Sequence, residues 1–372
     1  MFDAYIEEGK VPLPTEVVKA LEGHCQKMTW RSERDAERDP FERYLPQVDL
    51  ERELKVPWIP EWLSPLYGTS FYTRCTEAQK LALNHMGWVA HYQYSVIGEY
   101  LTLQYNNACG RVFRHNGYDH IATYLERESD EEKLHIDTFS KLGDAVEAHY
   151  LGRPMMRARM AEVYTLHPNG FAGFNGWTAT AFYYWLRGHQ NIALRAREQA
   201  LQEADTPAIA PRITEAHFRD ETRHYATSHL LAELMAEVEP QLPPPVKLAF
   251  IAGRSFNGPQ SGCNWIWPTT QVTPGLLIDI TAQLLHHPIF GLNEAQVLEV
   301  LEEVYSQRST NPEWEHMRLR TERNALALNH RVPWLPAELH DDLSKTLRYN
   351  LDKGLPYARK ALKEYQSRQA AA

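Results

Sequence analysis

The residues from Thr214 to His229 carry a pattern of histidine and glutamate that strongly limits how the chain can fold. His217, Glu221 and His224 are spaced at i, i+4 and i+7, and on an α-helix this spacing places the three side chains along one stripe. Two imidazoles and a carboxylate on one stripe are ligands that a transition-metal ion binds. We therefore predict a helix that turns this stripe toward a metal site.

Asp220 lies in the same stretch, four residues before His224. A metal-bound histidine commonly donates its second ring N–H to a carboxylate, which fixes the tautomer and the direction of the ring. We predict that Asp220 orients His224 in this way. We also predict that His217, one turn before Glu221, reaches the same ion as Glu221 and His224.

A second Glu-x-x-His unit lies at Glu132 and His135, and Glu131 precedes His135 by four residues. The unit thus repeats the arrangement of Asp220 before its histidine. We predict that Glu131 orients His135 and that Glu132 and His135 are metal ligands.

Glu99 is the candidate ligand from a further helix, predicted over residues 76–107, whose apolar positions follow a 3.6-residue period. A carboxylate that continues an apolar stripe is costly unless a metal ion or an arginine from another helix neutralises it. The chain between Glu99 and Glu132 suits two antiparallel helices joined by a loop. Four such helices with inward-pointing Glu and Glu-x-x-His residues form the layout of di-iron and di-manganese carboxylate proteins.

The fourth position of this layout has no obvious glutamate. If the second helix pair copied the first, a Glu would be expected within residues 187–190, but this segment reads Arg-Gly-His-Gln. Three residues remain as alternatives for the position: Gln190, His189, or Glu198 one or two turns later.

A third Glu-x-x-His unit, Glu313 and His316, provides a comparison. It follows Pro312, so no acid lies four residues before its histidine, and we interpret it as the start of a surface helix. For the other two units the alternative is a solvated helix face with ion pairs to Arg219 and Arg223. The coincidence of several ligand-like features favours the metal site.

These residues resemble the ferritin-like non-haem di-iron oxygenases of the p-aminobenzoate N-oxygenase type. The resemblance covers about residues 57–240, and its most specific part is the additional histidine that precedes the second Glu-x-x-His unit. The stretches that carry it are Pro60–Trp88, the Glu99 helix, Asp130–His135 and His217-x-x-x-Glu221-x-x-His224.

The resemblance implies seven ligands around two iron ions, activation of O2 as co-substrate, and oxidation of an amine to a hydroxylamine or nitro group. The expected cofactor is two iron ions, with one iron and one manganese as the alternative. The seventh ligand, a glutamate in the family, aligns with Gln190 here. Six positions match: Glu99, Glu132, His135, His217, Glu221 and His224.

The predicted function is therefore that of a non-haem di-iron oxidoreductase, an oxygenase. The favoured reaction is the N-oxygenation of a small amine in specialised metabolism. One alternative is C–H hydroxylation, desaturation or C–C cleavage on the same scaffold, because only the pocket would differ. A second alternative is a non-catalytic helical protein that binds metal. We expect no catalytic residue beyond the metal ligands and no organic cofactor.

Composition limits the partners and the location. A net charge of −9 argues against nucleic acid or an anionic membrane surface, since both select for basic patches. The N-terminus lacks the features of a signal peptide, no apolar run could span a membrane, and the four cysteines are scattered. We expect a cytoplasmic protein with a small-molecule substrate, an external electron donor and, as one oligomeric option, a homodimer.

The predicted fold class is all-α, with a ferritin-like four-helix bundle core and extra N- and C-terminal helices. Residues 1–75 are predicted to form an arm on the bundle, residues 76–240 the bundle itself, and residues 241–372 a helical extension that forms one compact unit with it. A helix over residues 15–28 is predicted in the arm. The first bundle helix is predicted over residues 76–107, and the second begins between Tyr118 and Asp130 and ends near Leu151. The third begins after Gly176, and the fourth covers Pro211–Glu237.

Overall fold

The computed structural model describes residues 13–153, 198–238, 282, 284–305, 362–368 and 370. Most of the segment predicted as the third bundle helix, including His189 and Gln190, lies outside these residues, as do the Glu313–His316 unit and most of the predicted C-terminal extension. Within the described part of the chain every regular element is helical. The chain is all-α, as predicted.

Seven α-helices are labelled here in chain order, with short 3-10 turns between the early ones. The 3-10 turns are Phe41–Arg43, Leu45–Gln47 and Glu61–Leu63, and residues 198–201 are also helical. The α-helices are α1 (Thr15–Arg38), α2 (Leu50–Glu53), α3 (Ser70–Arg74), α4 (Glu77–His115), α5 (Asp119–Leu151), α6 (Ala210–Val238) and α7 (Glu294–Tyr305).

The first helix is longer than predicted. The sequence predicts an end near Met28, whereas the helix begins at Thr15 and continues through the charged segment to Arg38. The extension is held by contacts that sequence periodicity does not contain. Asp35, for example, accepts a hydrogen bond from Arg223 of α6 at 3.1 Å.

Helices α4 and α5 form the predicted antiparallel hairpin. Thr76 and Gln79 form a capping box that begins α4 where the sequence predicted it, and the helix runs beyond the predicted end to His115. Gly117 then adopts φ 88°, a conformation that favours glycine, and α5 begins at Asp119, inside the predicted interval.

The antiparallel direction of α4 and α5 is visible in three side-chain contacts whose residue numbers rise on one helix as they fall on the other. From one end of the hairpin to the other, the pairs are His85 with Tyr150, Asn106 with Glu128, and Arg114 with Glu126.

The core between these helices is aromatic. Tyr92 stacks on Phe139 with ring centroids 3.9 Å apart, and Trp88 donates from Nε1 to Thr214 Oγ1 of α6 at 3.1 Å. Phe41, from the residues before the bundle, lies edge-on to the His135 ring with centroids 4.7 Å apart. The part of the chain before the bundle therefore closes one side of the interior.

The proline-rich segment before α4 is fixed by a side chain of that helix. Asn84 Oδ1 accepts from the backbone N–H groups of Trp58 and Ile59 at 2.7 and 3.1 Å. Gly87 allows the close approach, because a Cβ at this position would lie 2.7 Å from Cδ of Pro65.

The described C-terminal residues contribute to the same core. Phe290, Val297, Leu301 and Leu362 are buried in one cluster with residues of α4 and α5, and Gln79 Nε2 donates to the Ile289 carbonyl at 2.8 Å. The cysteines within the described ranges, Cys25, Cys75 and Cys109, are buried and free. In these same ranges no helix has both the length and the apolar character needed to cross a membrane.

His85 makes the stability of the fold depend on pH. Its Nε2–H donates to the Val56 carbonyl and its Nδ1 accepts from the Tyr150 hydroxyl, both at 2.8 Å. Burial lowers the pKa of His85 from 6.5 to about 4. At a pH between these two pKa values, His85 is protonated in the unfolded chain and neutral in the folded chain. The free energy of unfolding is therefore highest above pH 6.5 and decreases as the pH falls toward about 4.

We predict that His85→Gln removes this dependence. On going from about pH 7.5 to about pH 5, the wild type should lose about 2 kcal/mol through His85 that the variant does not lose. Urea unfolding of both proteins at the two pH values measures the difference, and the other titrating groups are common to both. An equal pH dependence in the two proteins would contradict the assignment.

Candidate metal centre

The structure brings all six predicted ligand residues into one buried cluster. One of these residues lies on α4, two lie on α5 and three on α6. The exposed fraction of each of the six residues is between 0% and 6%. This burial excludes the alternative of a solvated helix face. The residues are Glu99, Glu132, His135, His217, Glu221 and His224, and their role as metal ligands stays a prediction.

Glu132 and Glu221 lie between the two histidines of the Glu-x-x-His units. The Nδ1 atom of His224 is 2.9 Å from Glu221 Oε1 and 3.2 Å from Glu132 Oε1. The Nδ1 atom of His135 is 3.5 Å from Glu132 Oε2 and 3.7 Å from Glu221 Oε1. Because each carboxylate faces both rings, each could bridge two ions.

The ring nitrogens of His135 and His224 that face away from Glu132 and Glu221, called the outer nitrogens here, each contact an acid of the other helix. His135 Nε2 lies 3.4 Å from Asp220 Oδ2, and His224 Nε2 lies 2.7 Å from Glu131 Oε2. The prediction that each acid orients the histidine of its own helix is wrong. Helices α5 and α6 run antiparallel, so the residue four positions before one histidine comes level with the histidine of the other helix.

His217 lies with His135 rather than with His224, which corrects the prediction that it shares an ion with the latter. Its Nε2 is 2.9 Å from Glu99 Oε1 and 3.8 Å from Glu221 Oε1. Its ring centroid is 4.6 Å from that of His135.

Glu198, one of the three alternatives for the seventh position, contacts the other nitrogen of His217. Its Oε1 accepts from His217 Nδ1, and its Oε2 accepts from the Tyr225 hydroxyl at 3.1 Å. In this structure Glu198 therefore holds His217 from outside, as Asp220 holds His135.

The three imidazoles share one arrangement. Each has one nitrogen on an outer carboxylate and the other directed at the inner carboxylates. An ionised carboxylate only accepts hydrogen bonds, so the outer carboxylate keeps an N–H on the outer nitrogen. The inner nitrogens of His217 and His224 also face carboxylates at 2.9 Å, and a bound metal ion would take the place of the proton there. This is how metal-bound histidines are usually held.

Whether these residues fit a metal ion can be judged from two ligand atoms on the inside of the cluster that lack hydrogen-bond partners. Glu99 Oε2 and His135 Nδ1 are buried and make no hydrogen bond, and leaving such an atom unpaired costs about 1–3 kcal/mol. Ligand atoms of Glu99, His135, His217 and Glu221 all lie within 4.8 Å of one another. A metal ion among them would satisfy both atoms, so the residues fit the predicted group.

The electrostatics of the cluster point the same way. Burial raises the pKa of Glu99 to about 7. Burial also disfavours a charged His135, yet the surrounding carboxylates raise its pKa to about 9. Without a metal the cluster thus takes up protons to offset its carboxylates, and metal binding would release protons.

Arg223 ties the two outer acids together. Its Nη2 lies 2.9 Å from Asp220 Oδ1 and 3.1 Å from Glu131 Oε1, while Nη1 contacts Asp35 of α1. Burial opposes ionisation of Glu131, but His224 and Arg223 lower its pKa to about 2. For Asp220, His135 and Arg223 likewise lower the pKa against the effect of burial. Both acids are therefore charged acceptors.

Sequence reasoning missed one residue of the cluster, Glu128 of α5. It is 1% exposed, and its carboxylate lies with ligand atoms of Glu132 and His224, all within 4.8 Å of one another. The available signal was its spacing, because Glu128 precedes Glu132 by the same four residues that separate His217 from Glu221.

The chain was compared with known proteins and protein families. Residues 46–172 match the model of a family described as acyl halogenase, CylC-like, and this segment contains Glu99, Glu132 and His135 but ends before α6. No curated protein and no solved structure matches the chain. The match indicates an enzyme, of the oxygenase or halogenase type. It does not address N-oxygenation, and the resemblance to the N-oxygenases stays a prediction.

A double-mutant cycle tests the exchange of outer partners. In the metal-free protein, Asp220→Ala combined with His135→Ala should show a coupling energy of about 1–3 kcal/mol, because the two side chains are in contact. Asp220→Ala combined with His224→Ala should show a clearly smaller coupling. Urea unfolding of the single and double variants gives both values. A larger coupling with His224 would restore the same-helix pairing.

Proposed function

We propose that this chain is an O2-dependent enzyme that oxidises a small molecule at a two-metal centre between α4, α5 and α6. The observation that carries the proposal is the position of Glu132 and Glu221, each facing the inner nitrogens of both His135 and His224. Two ions bridged by such carboxylates are the arrangement of ferritin-like dimetal proteins.

When bound, two iron ions, or one iron and one manganese, would supply the redox chemistry by which O2 is reduced. The residues of the chain hold the ions and set their surroundings. Glu132 and Glu221, which face both His135 and His224, would each hold both ions. Asp220 and Glu131 keep the N–H of His135 and His224 on Nε2, so that Nδ1 stays available as a ligand.

Aromatic side chains line the described part of the site. Phe41 covers the His135 ring, and Phe139 lies edge-on to the His217 ring with centroids 4.9 Å apart. Tyr92 also lies edge-on to His217, at 5.7 Å. A dry, aromatic wall strengthens the electrostatic interactions of the site and suppresses side reactions of oxidising species with water.

The reaction that we favour is functionalisation of a C–H bond in an acyl substrate, because the matched family is described as acyl halogenases. In halogenation the C–H bond breaks and a bond from carbon to halogen forms, with a halide ion as the source of the new atom. O2 takes up the electrons of that oxidation together with electrons from an external donor, combines with protons, and leaves as water. Hydroxylation of the same carbon would instead retain one oxygen atom of O2.

N-oxygenation of an amine is the second candidate. It is favoured by His217, which lies inside the cluster at 2.9 Å from Glu99 and is the additional histidine on which the resemblance to the N-oxygenases rests. A non-catalytic metal-binding role is the third possibility, and it predicts metal uptake without turnover.

Product analysis distinguishes these reactions. The protein is loaded anaerobically with Fe(II), then given O2, a chemical reductant, chloride or bromide, and either saturated acyl thioesters or aromatic amines such as p-aminobenzoate. We expect acyl products with the isotope pattern of the halogen. Hydroxylated acyl products, or amine products that keep nitrogen and gain oxygen, would overturn the halogenase assignment in favour of the named alternatives.

Two variants control this experiment. Glu221→Gln removes a carboxylate that faces both inner histidines and should abolish turnover. Glu126→Gln changes an exposed glutamate of α5 that pairs with Arg114 and should turn over as the wild type does. Metal uptake with no O2-dependent product in any mixture would support the non-catalytic role and overturn the enzyme proposal.

A further inference from the structure

Helices α5 and α6 carry their buried site residues at the same spacing, i, i+4 and i+7. Because the two helices are antiparallel and exchange their outer acids, an approximate two-fold relation maps one set onto the other. The corresponding residues are Glu128, Glu132 and His135 on α5, and His217, Glu221 and His224 on α6.

In this relation Glu128 corresponds to His217. The positions of both side chains agree with it, because each lies near the histidine of the opposite helix. His217, one turn before Glu221, reaches across to the site of His135 of the opposite helix. Glu128, one turn before Glu132, reaches across to the site of His224. Each helix therefore adds one more donor to the ion position that the histidine of the other helix occupies.

We propose that Glu128 is a metal ligand and holds the second ion together with Glu132 and His224. The inference rests on the proposed two-metal centre and completes its ligand set. With Glu128 the cluster offers four glutamates and three histidines, whereas the position that aligns with the expected seventh ligand is Gln190. The seventh carboxylate thus comes from α5.

Three observations support a ligand role for Glu128. Its carboxylate, a Glu132 carboxylate oxygen and a His224 ring nitrogen lie within 4.8 Å of one another. The three side chains are 1%, 1% and 0% exposed. His224 cannot turn away freely, because Glu131 holds its Nε2 at 2.7 Å, which leaves Nδ1 on the side of the carboxylates.

Asn106 of α4 positions the Glu128 carboxylate. It is fully buried, and its Nδ2 donates to Glu128 Oε1 at 3.2 Å. Glu99 and Asn106 are two turns apart on α4, so the helix supports both ion positions, one through a ligand and the other through an amide that orients a ligand.

The assignment makes the two ion positions chemically unequal. One is built from His135, His217 and Glu99, and the other from Glu128 and His224, with Glu132 and Glu221 facing both. Carboxylate-rich sites suit manganese better than imidazole-rich ones do. The position that contains Glu128 is therefore the one that should accept manganese in a mixed pair.

Metal binding by the Glu128→Gln variant tests this inference without reference to activity. Wild-type protein titrated with Mn(II) under anaerobic conditions should bind two ions and give the electron paramagnetic resonance signal of a coupled pair. The variant should keep one ion and bind the second at least about 10-fold more weakly, with the signal of an isolated ion. Glu126→Gln, on the exposed face of α5, should behave as the wild type.

The outcomes separate the two proposals. A Glu128→Gln protein that binds two coupled ions with unchanged affinity would overturn the role of Glu128 and leave the two-metal centre intact. Wild-type protein that binds no ion pair would overturn the centre itself. Circular dichroism verifies that the variants fold. If Glu128→Gln does not fold, Glu128→Asp, which keeps the charge on a shorter side chain, takes its place. This variant should bind the second ion more weakly than the wild type, and wild-type affinity for that ion would contradict the proposal.

Discussion

The structure depends on the neutralisation of carboxylates that α4, α5 and α6 bury against one another. Glu99, Glu128, Glu132 and Glu221 are each at most 6% exposed. Among the described residues, the cationic groups that contact this cluster are three imidazoles and, behind them, Arg223. Ionised carboxylates in such surroundings are strongly unfavourable unless a cation or a proton compensates them. The shifted pKa values of Glu99 and His135 show protons in this role, and two divalent ions would replace them. On the proposed function, a cluster that is unfavourable on its own would become the ligand shell of a metal pair.

The antiparallel packing of α5 and α6 turns two local sequence patterns into one centre. Each helix supplies an inner histidine, an inner glutamate and an outer acid, and the outer acid serves the histidine of the other helix. Arg223 then links both outer acids and reaches Asp35 of α1. Rotation or sliding of either helix would break both outer contacts at once, so the geometry of the ligands is coupled to the packing of the bundle.

The parts of this arrangement that sequence could predict are those set within one helix. The i, i+4, i+7 spacing identified His217, Glu221 and His224, and the second Glu-x-x-His unit identified Glu132 and His135. The apolar period of α4 identified the helix that carries Glu99, and its start is local because a capping box closes it. The exchange of Asp220 and Glu131, the place of His217 beside His135, and the length of α1 depend on the register between helices, which spacing along one helix does not contain. Glu128 was missed because a lone acid one turn before a motif has many structural explanations until its neighbours are known.

The most direct test of the account is a crystal structure of the protein loaded anaerobically with Fe(II), with anomalous scattering data collected at the iron edge. The account predicts two anomalous peaks about 3.5–4 Å apart. One should lie against His135 and His217 and the other against His224, with Glu132 and Glu221 between them. Peaks confined to the protein surface, or a loaded crystal with no iron between α5 and α6, would contradict it.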